Sequence, residues 1–254
     1  MDWIIGGTKD SRDFINILSK DKNINLKNII LTTASDYGKR LVEESGIITK
    51  SQAMNEEEME EFILKNKIKR VFDLSHPYAL EVSSNAMSVA EKTGINYFRF
   101  ERENLNYENS LDFVDIDEMI KFIEKLDGNI LVTLGSNNIE KFKNLENLEN
   151  IYFRILPITD SIKKLENVNI KAKNIIGIQG PFSKEFNIAI YKNYNIKYLI
   201  TKESGITGGE KEKIEAAYET KVIPIVLKRP NIKYKWVTYD INEIIEKFKE
   251  GYKC

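Results

Sequence analysis

Residues 197–227 read KYLITKESGITGGEKEKIEAAYETKVIPIVL. An apolar run at 197–201 leads into a loop of hydroxyl residues and glycines. A helical stretch at 210–220 comes next, then a second β-branched run at 222–227. Strand, helix and strand in so short a span form the unit from which parallel sheets are built. The alternation continues on both sides. Upstream, strands are expected at 130–134, at 151–156 where Pro157 stops the run, and at 174–178, with a helix at 184–194. Near the start, strands at 3–5, 28–33, 70–74 and 95–98 alternate with helices at 9–19, 54–65 and 78–93. Phe14, Ile15 and Leu18 share one helical face, as do Met59, Phe62 and Ile63, and Gly94 stands at the usual C-terminal glycine position.

One pattern occurs twice. Asp115-Ile116-Asp117-Glu118 and Asp240-Ile241-Asn242-Glu243 each come after a short strand, at Phe113-Val114 and at 236–239, and each opens an amphipathic helix. Both have the form of a capping box, with Asp as N-cap and Glu three residues on. Chance recurrence of a common helix start is one reading; two similar units are the sharper one. The polar connection at 104–111 then separates an N-terminal domain, 1–110, from a C-terminal domain, 111–254. The fold class expected is α/β: two Rossmann-like parallel-sheet halves with helices on both faces and a cleft between them.

Composition narrows the function. At 254 residues, 42% hydrophobic and 30% charged, the chain supports a sizeable core under a polar surface. The balance of 38 basic against 39 acidic residues calls for neither nucleic acid nor an anionic membrane as partner. The lone cysteine, Cys254, excludes an internal disulfide framework and a cysteine metal cluster, and it does not fit a prenylation signal. The start, Met-Asp-Trp-Ile-Ile-Gly-Gly, lacks a basic region and a long apolar run, and no stretch of about 18 apolar residues occurs. A cytoplasmic location is the expectation. Oligomeric state is not legible.

In open α/β sheets ligands bind beyond the carboxyl ends of the strands, so the residues just past each strand matter most. After the first comes Gly6-Gly7-Thr8-Lys9-Asp10-Ser11-Arg12, where glycines admit close approach and a helix start offers amides to an anion. A tight strand-to-helix turn is the plainer alternative. After the strand at 70–74 comes Asp73-Leu74-Ser75-His76-Pro77-Tyr78-Ala79, holding the sole histidine. With Pro77 at the first helical position, His76 would face the strand-end crevice, where it could bind a carboxylate or relay a proton. It could also merely pack. One histidine does not make a histidine metal cluster. Arg99-Phe100-Glu101-Arg102 offers two of only seven arginines, suited to carboxylates or to a surface salt bridge. Gly180-Pro181-Phe182-Ser183 stands after another strand. In 201–209, Thr201, Lys202, Ser204 and Gly205 precede a helix carrying Lys211 and Lys213. Hydroxyls, amides, a helix N-terminus and lysine charge suit a phosphate, without the Walker pattern. A surface loop is the alternative.

Taken together in order, these residues resemble the precorrin-6A reductases, including the cobalt-precorrin-6A reductases. The resemblance rests on Gly6-Gly7-Thr8, Thr33-Ala34, Tyr37-Gly38, residues 73–79, Arg99 with Arg102, Arg154 with Pro157 and Gly180-Pro181-Phe182. It continues in Thr201-Lys202 with Ser204-Gly205, Lys213 with Ala216-Ala217, and Arg229-Pro230. The chain departs from the family at Leu74-Ser75, where Ala-Thr is usual, and at Gln52-Ala53, where Gly-Arg is common. It also carries Glu103 where a proline commonly stands. The resemblance implies transfer of hydride from NADPH or NADH to a carbon–carbon double bond of a corrinoid macrocycle, without a G-x-G-x-x-G fingerprint. On that basis Gly180, Pro181, Thr201, Lys202, Ser204 and Gly205 are expected to hold the dinucleotide phosphates. Gly7, Thr8, His76, Arg99 and Arg102 are expected to line the macrocycle side, with His76 the candidate proton donor. No protein metal site is expected; any cobalt belongs to the substrate. NADH and NADPH, and the metal-free and cobalt substrates, are not separated by sequence. A dehydrogenase of a smaller substrate and a non-catalytic nucleotide- or tetrapyrrole-binding module are the rival readings.

Overall fold

The computed structural model describes residues 1–34, 46–105, 107–205 and 209–252. It contains two parallel sheets. Contacts divide the chain into one unit of Met1–Arg102 with Pro230–Cys254, and a second of Glu103–Arg229.

The first unit runs β1 (Asp2–Ile5), α1 (Lys9–Lys20), β2 (Ile29–Thr33), β3 (Ile48–Ser51), α2 (Glu56–Asn66), β4 (Arg70–Asp73), α3 (Leu80–Lys92) and β5 (Asn96–Phe100). The second adds β6 (Leu111–Phe113), α4 (Ile116–Ile123), β7 (Asn129–Val132), β8 (Ile151–Ile155), α5 (Thr159–Asn167), β9 (Ile175–Gly177) and α6 (Lys184–Asn193). It ends with β10 (Ile196–Lys202), α7 (Glu210–Glu219) and β11 (Ile223–Leu227). The chain then returns to the first unit with β12 (Val237–Thr238) and α8 (Ile241–Lys249).

The first sheet has the order β12-β5-β4-β1-β2-β3 and the second β6-β11-β10-β7-β8-β9, every pair parallel. The order reverses between β1 and β4 in one sheet and between β7 and β10 in the other. These are the switch points where a doubly wound sheet opens a crevice for ligands.

Alternation along the strands builds two apolar layers on the first sheet. Ile4, Phe72 and Phe98 pack with Phe14 and Leu18 of α1 and Ile244 and Phe248 of α8. Their neighbours Trp3, Val71 and Tyr97 point to the opposite face, with Met59 and Phe62 of α2 and Val89 of α3. In the second sheet, Leu131, Leu199 and Val226 pack with Tyr191 of α6 and Ile214 and Ala217 of α7. Strands covered on both faces read as near-continuous apolar runs, as these do.

The units differ from the expected domains in two respects: residues 103–110 were expected in the N-terminal domain and fall in the second unit, and the last segment moves the other way. Residues 230–254 were expected in the C-terminal domain, whereas β12 and α8 belong to the first unit. The amides of Arg99 and Glu101 donate to the carbonyls of Trp236 and Thr238. Arg70 fixes α8 from below, donating to both Asp2 carboxylate oxygens at 2.8 and 2.7 Å and to the Phe248 carbonyl at 3.0 Å. The repeated pattern is thus an edge strand of each sheet with the helix that follows it: β6 and α4 precede the rest of the second unit, and β12 and α8 reach the first from beyond it.

Local details differ too. Asp115 caps α4 through the amides of Asp117 and Glu118, and Asp240 caps α8 through Asn242. Neither expected capping box is completed by its glutamate: no return bond from Glu118 to the Asp115 amide accompanies the first cap, and in the second the Glu243 carboxylate takes the Thr238 hydroxyl. Pro77 is not the first residue of α3. The Ala79 amide donates to the His76 carbonyl at 2.8 Å, closing a turn before the helix starts at Leu80. No described helix is long and apolar enough to cross a membrane.

Candidate active site

Each switch point carries polar residues singled out from the sequence. In the first unit, Gly6 ends β1 and its amide donates to the Thr32 carbonyl. A Cβ there would lie 2.7 Å from Leu31 Cδ1 and 2.9 Å from Ser11 Oγ. Gly6→Ala is therefore expected to cost about 1–3 kcal/mol through overpacking, seen as a lowered denaturation midpoint at unchanged m. Gly7 has φ +98°, which a side chain would strain.

Thr8 caps α1 and donates from Oγ1 to the Leu74 carbonyl at 2.8 Å, tying the loop after β1 to the loop after β4. The amides expected to face a ligand are used internally: those of Gly7 and Thr8 both donate to Ser11 Oγ at 3.1 Å. Asp10 in the first helical turn accepts from Arg102 Nε and Nη2 at 2.8 and 2.6 Å. The backbone donors of this helix start and its acidic residue are therefore already satisfied within the chain.

Arg99 is fully buried. Its Nη1 donates to Asp73 and to Ser75 Oγ, both at 2.9 Å, and its Nη2 to Glu101 at 2.9 Å. Asp73 also accepts from the Ser75 amide at 2.9 Å, from Ser83 Oγ at 2.6 Å and from the Tyr97 hydroxyl at 2.5 Å. Burial alone would raise the Asp73 carboxyl; Arg99 and the hydroxyl donors outweigh it and hold it below its usual value. Burial likewise opposes the Arg99 charge, but Asp73 and Glu101 more than offset it. The pair is thus a charged, hydrogen-bonded anchor under the Ser75–His76 turn, and Arg99 reaches a ligand only through that turn. His76 is half-buried, and its Nδ1 accepts from the Tyr78 amide at 3.2 Å. In the neutral ring the proton therefore sits on Nε2.

In the second unit a cavity of about 330 Å³ opens at the carboxyl ends of β7, β8 and β9. Thr133, Gly135, Arg154, Ile178, Gly180, Pro181, Phe182, Asn187, Gly209 and Lys213 are among its lining residues. The Gly180–Pro181 peptide is cis. Thr201 is fully buried at the end of β10, and its Oγ1 accepts from Lys213 Nζ at 2.8 Å. Lys202 comes next, half-buried. Ser204 and Gly205 were expected to offer amides to a phosphate, and both amides instead donate to the Glu210 carboxylate, at 2.6 and 2.8 Å. The chain's own acid occupies that cradle. Burial raises the Glu210 carboxyl, and the Gly205 amide opposes the shift.

Asn187 was not singled out from the sequence; Lys213 was read there as charge on the helix after the 201–209 loop, and Arg154 as part of the family resemblance, but neither was assigned a contact with the cofactor or the substrate. Signals were present. Arg154 interrupts the buried strand 151–155, and Lys213 lies on the buried stripe of α7 with Glu210, Ile214 and Ala217. Tyr37-Gly38, Thr207-Gly208 and Cys254 lie outside the described residues.

A family profile described as "Precorrin-6x reductase CbiJ/CobK" matches residues 3–249. The chain belongs to this family. The "Cobalt-precorrin-6A reductase" of Priestia megaterium is 32% identical over 247 residues, covering 95% of either chain. That of Methanocaldococcus jannaschii is 33% identical over 247 residues, covering 96% of either chain. A solved structure described as "CobK precorrin-6A reductase" superposes with a TM-score of 0.78 at 14% identity, over 99% of this chain and 96% of that one. At that identity it supports the fold alone: two parallel sheets flanked by helices.

Proposed function

We propose that this chain reduces a carbon–carbon double bond of cobalt-precorrin-6A, taking hydride from NADPH or NADH. The observation that carries it is the single reductase profile spanning residues 3–249. Membership makes the chain an oxidoreductase of cobalamin biosynthesis. The cobalt-bearing substrate is favoured over the metal-free one by the pattern of relatives. Those at 30% identity or more and covering 95% or more of this chain are described as cobalt-precorrin-6A reductases. The two described as precorrin-6A reductases match at 23% and 19% over 177 and 175 residues.

The second unit supports a phosphate-bearing cofactor, because the cavity lining joins two cationic side chains, a buried amide and a glycine–proline turn without an acidic residue. Gly180, Pro181 and Lys202 would hold the dinucleotide, with the fully buried Thr201 fixing Lys213 beside them and Ser204 and Gly205 shaping the adjoining loop around Glu210. A reduced nicotinamide bound there supplies two electrons as hydride. In the first unit Gly7, Thr8, His76 and Arg102 would meet the macrocycle, and Arg99 would position the Ser75–His76 turn.

His76 would give the proton that completes saturation. Replacing it by Gln should then lower kcat/KM by about 10²–10⁴-fold and remove a limb from the pH–rate profile. An unchanged profile would assign the proton to another group.

The whole reading is tested by anaerobic absorbance of protein, cobalt-precorrin-6A and each reduced nicotinamide in turn. Loss of the nicotinamide band together with a shifted macrocycle spectrum is expected. A macrocycle shift with no nicotinamide consumed would favour a non-catalytic binding module.

A further inference from the structure

The segment that returns to the first sheet brings one side chain onto the polar anchor under the Ser75–His76 turn. Tyr234 stands three residues before β12 and is half-buried. Its ring lies nearly parallel to that of Tyr97, at 15° with centroids 6.4 Å apart, and the Arg99 guanidinium carbon is 5.5 Å from its centre. Asp73 and Arg99 are fully buried, and Ser83 and Tyr97 are 1% and 8% exposed. Tyr234 is thus the member of this group that meets solvent. Burial holds its hydroxyl above the ordinary tyrosine value; Arg99 opposes, while Glu101 and Asp73 add to the rise. The ring is therefore uncharged near neutrality and brings no further anion to Arg99.

The contacts of the ring lead to His76. Arg99 and the Tyr97 hydroxyl both donate to Asp73, and both side chains lie against Tyr234. Asp73 and Arg99 in turn hold Ser75, one accepting from its amide and the other donating to its hydroxyl, at 2.9 Å each. His76 is the next residue, and its Nδ1 accepts from the Tyr78 amide. Two donors aimed at one carboxylate keep their aim while their flat groups are held in place. An aromatic face beside the guanidinium holds it and keeps out water, which would weaken the charged bonds.

We propose that Tyr234 is a positioning residue for His76: its ring fixes Arg99 and Tyr97 on Asp73, and through them the turn that aims the imidazole. This rests on the reading that His76 gives the proton. The working part is the ring rather than the hydroxyl, because Arg99 and Tyr97 meet the ring. The returning segment therefore serves the site as well as the core.

His76 is the sole histidine, so nitrogen-15 labelling of histidine shows one imidazole by NMR, with no turnover required. Wild type should show Nε2 protonated and Nδ1 as the bare acceptor in the neutral ring. Tyr234→Phe keeps the aromatic face and should keep both that tautomer and kcat. Tyr234→Leu keeps apolar bulk in the core but loses the face. It should draw both nitrogen signals toward the average of the two tautomers and lower kcat about ten- to hundredfold, with KM little changed. Tyr234→Met takes its place if the leucine variant does not fold, since a flexible side chain refills such a gap. Trp236→Leu is the control for lost packing. Its side chain packs edge-on against Phe98 in the other apolar layer, so it should melt lower with the imidazole signals unmoved.

A leucine or methionine variant that melts lower but leaves the imidazole signals in place would overturn the proposal. So would a phenylalanine variant that loses as much as leucine, or a wild type protonated on Nδ1. Shifted imidazole signals with full turnover would uphold the positioning and overturn His76 as the proton donor.

Discussion

Ending the chain at Arg229 should unfold the first unit. The removed residues are a small share of the chain, but they supply one layer of that unit's core. Phe248 is fully buried, with its ring 4.8 Å from Phe72 and 5.6 Å, edge-on, from Phe14. Ile244 and Ile245 are buried beside it, and Trp236 meets Phe98 edge-on at 5.2 Å. Truncating one such aromatic side chain to alanine typically costs about 3–5 kcal/mol. Losing several together exceeds the roughly 5–15 kcal/mol by which a domain is stable. The truncation also strips the edge of β5 and removes the Phe248 carbonyl from Arg70. Hydrogen exchange read by mass spectrometry should show protection lost in β1, β4 and β5. The single variant Phe248→Ala should cost about 3–5 kcal/mol by denaturant unfolding. Retained protection in β1, β4 and β5 would mean that the C-terminal strand and helix are ornaments of the fold.

Asp73→Asn should cost a similar amount, about 3–5 kcal/mol, because it leaves the fully buried Arg99 with one of its two carboxylate partners. The effect has a pH signature. The Asp73 carboxyl is held below its ordinary value of 3.8 in the folded protein. Its stabilisation is therefore complete above the unfolded value and is lost as pH falls through the lower, folded one. The gap between wild type and Asp73→Asn should close in acid. Catalysis should fall as well, since Asp73 accepts from the Ser75 amide and Arg99 from the same side holds Ser75 Oγ. A loss in kcat with little change in KM would fit a turn that positions His76. Arg154→Met makes the contrast: it removes a buried guanidinium whose hydrogen-bond partner is the neutral Asn187 amide, so no carboxylate is left without its counter-charge.

The parallel sheets were legible because buried strands such as 3–5 and 197–201 are short unbroken apolar runs, separated by helices with a clear stripe. β3 was not, since Ile48–Ser51 is an edge strand with an exposed or half-buried ITKS sequence and no core face to advertise it. The return of residues 230–254 to the first sheet was not legible either. Two residues, Val237 and Thr238, make that pairing, and nothing local states which sheet edge they will join.

The candidate site was legible to the level of strand ends and no deeper. Arg99 and Arg154 look alike in sequence, each an arginine within a β-rich run. Whether an arginine is neutralised by its own protein depends on Asp73, twenty-six residues away, and on the absence of any such acid beside Arg154 among the described residues. The loop at 201–205 misled for a related reason: Glu210 lies on the next helix, and only folding brings its carboxylate onto the Ser204 and Gly205 amides.

The central claim is hydride transfer from nicotinamide to the macrocycle, and isotopic labelling tests it most directly. Cobalt-precorrin-6A would be reduced anaerobically with nicotinamide dinucleotide deuterated at the transferable position, and the product weighed by mass spectrometry. One deuterium per product molecule is predicted, with the second new hydrogen drawn from water. Product carrying no label from the nicotinamide, or no product at all, would contradict the account.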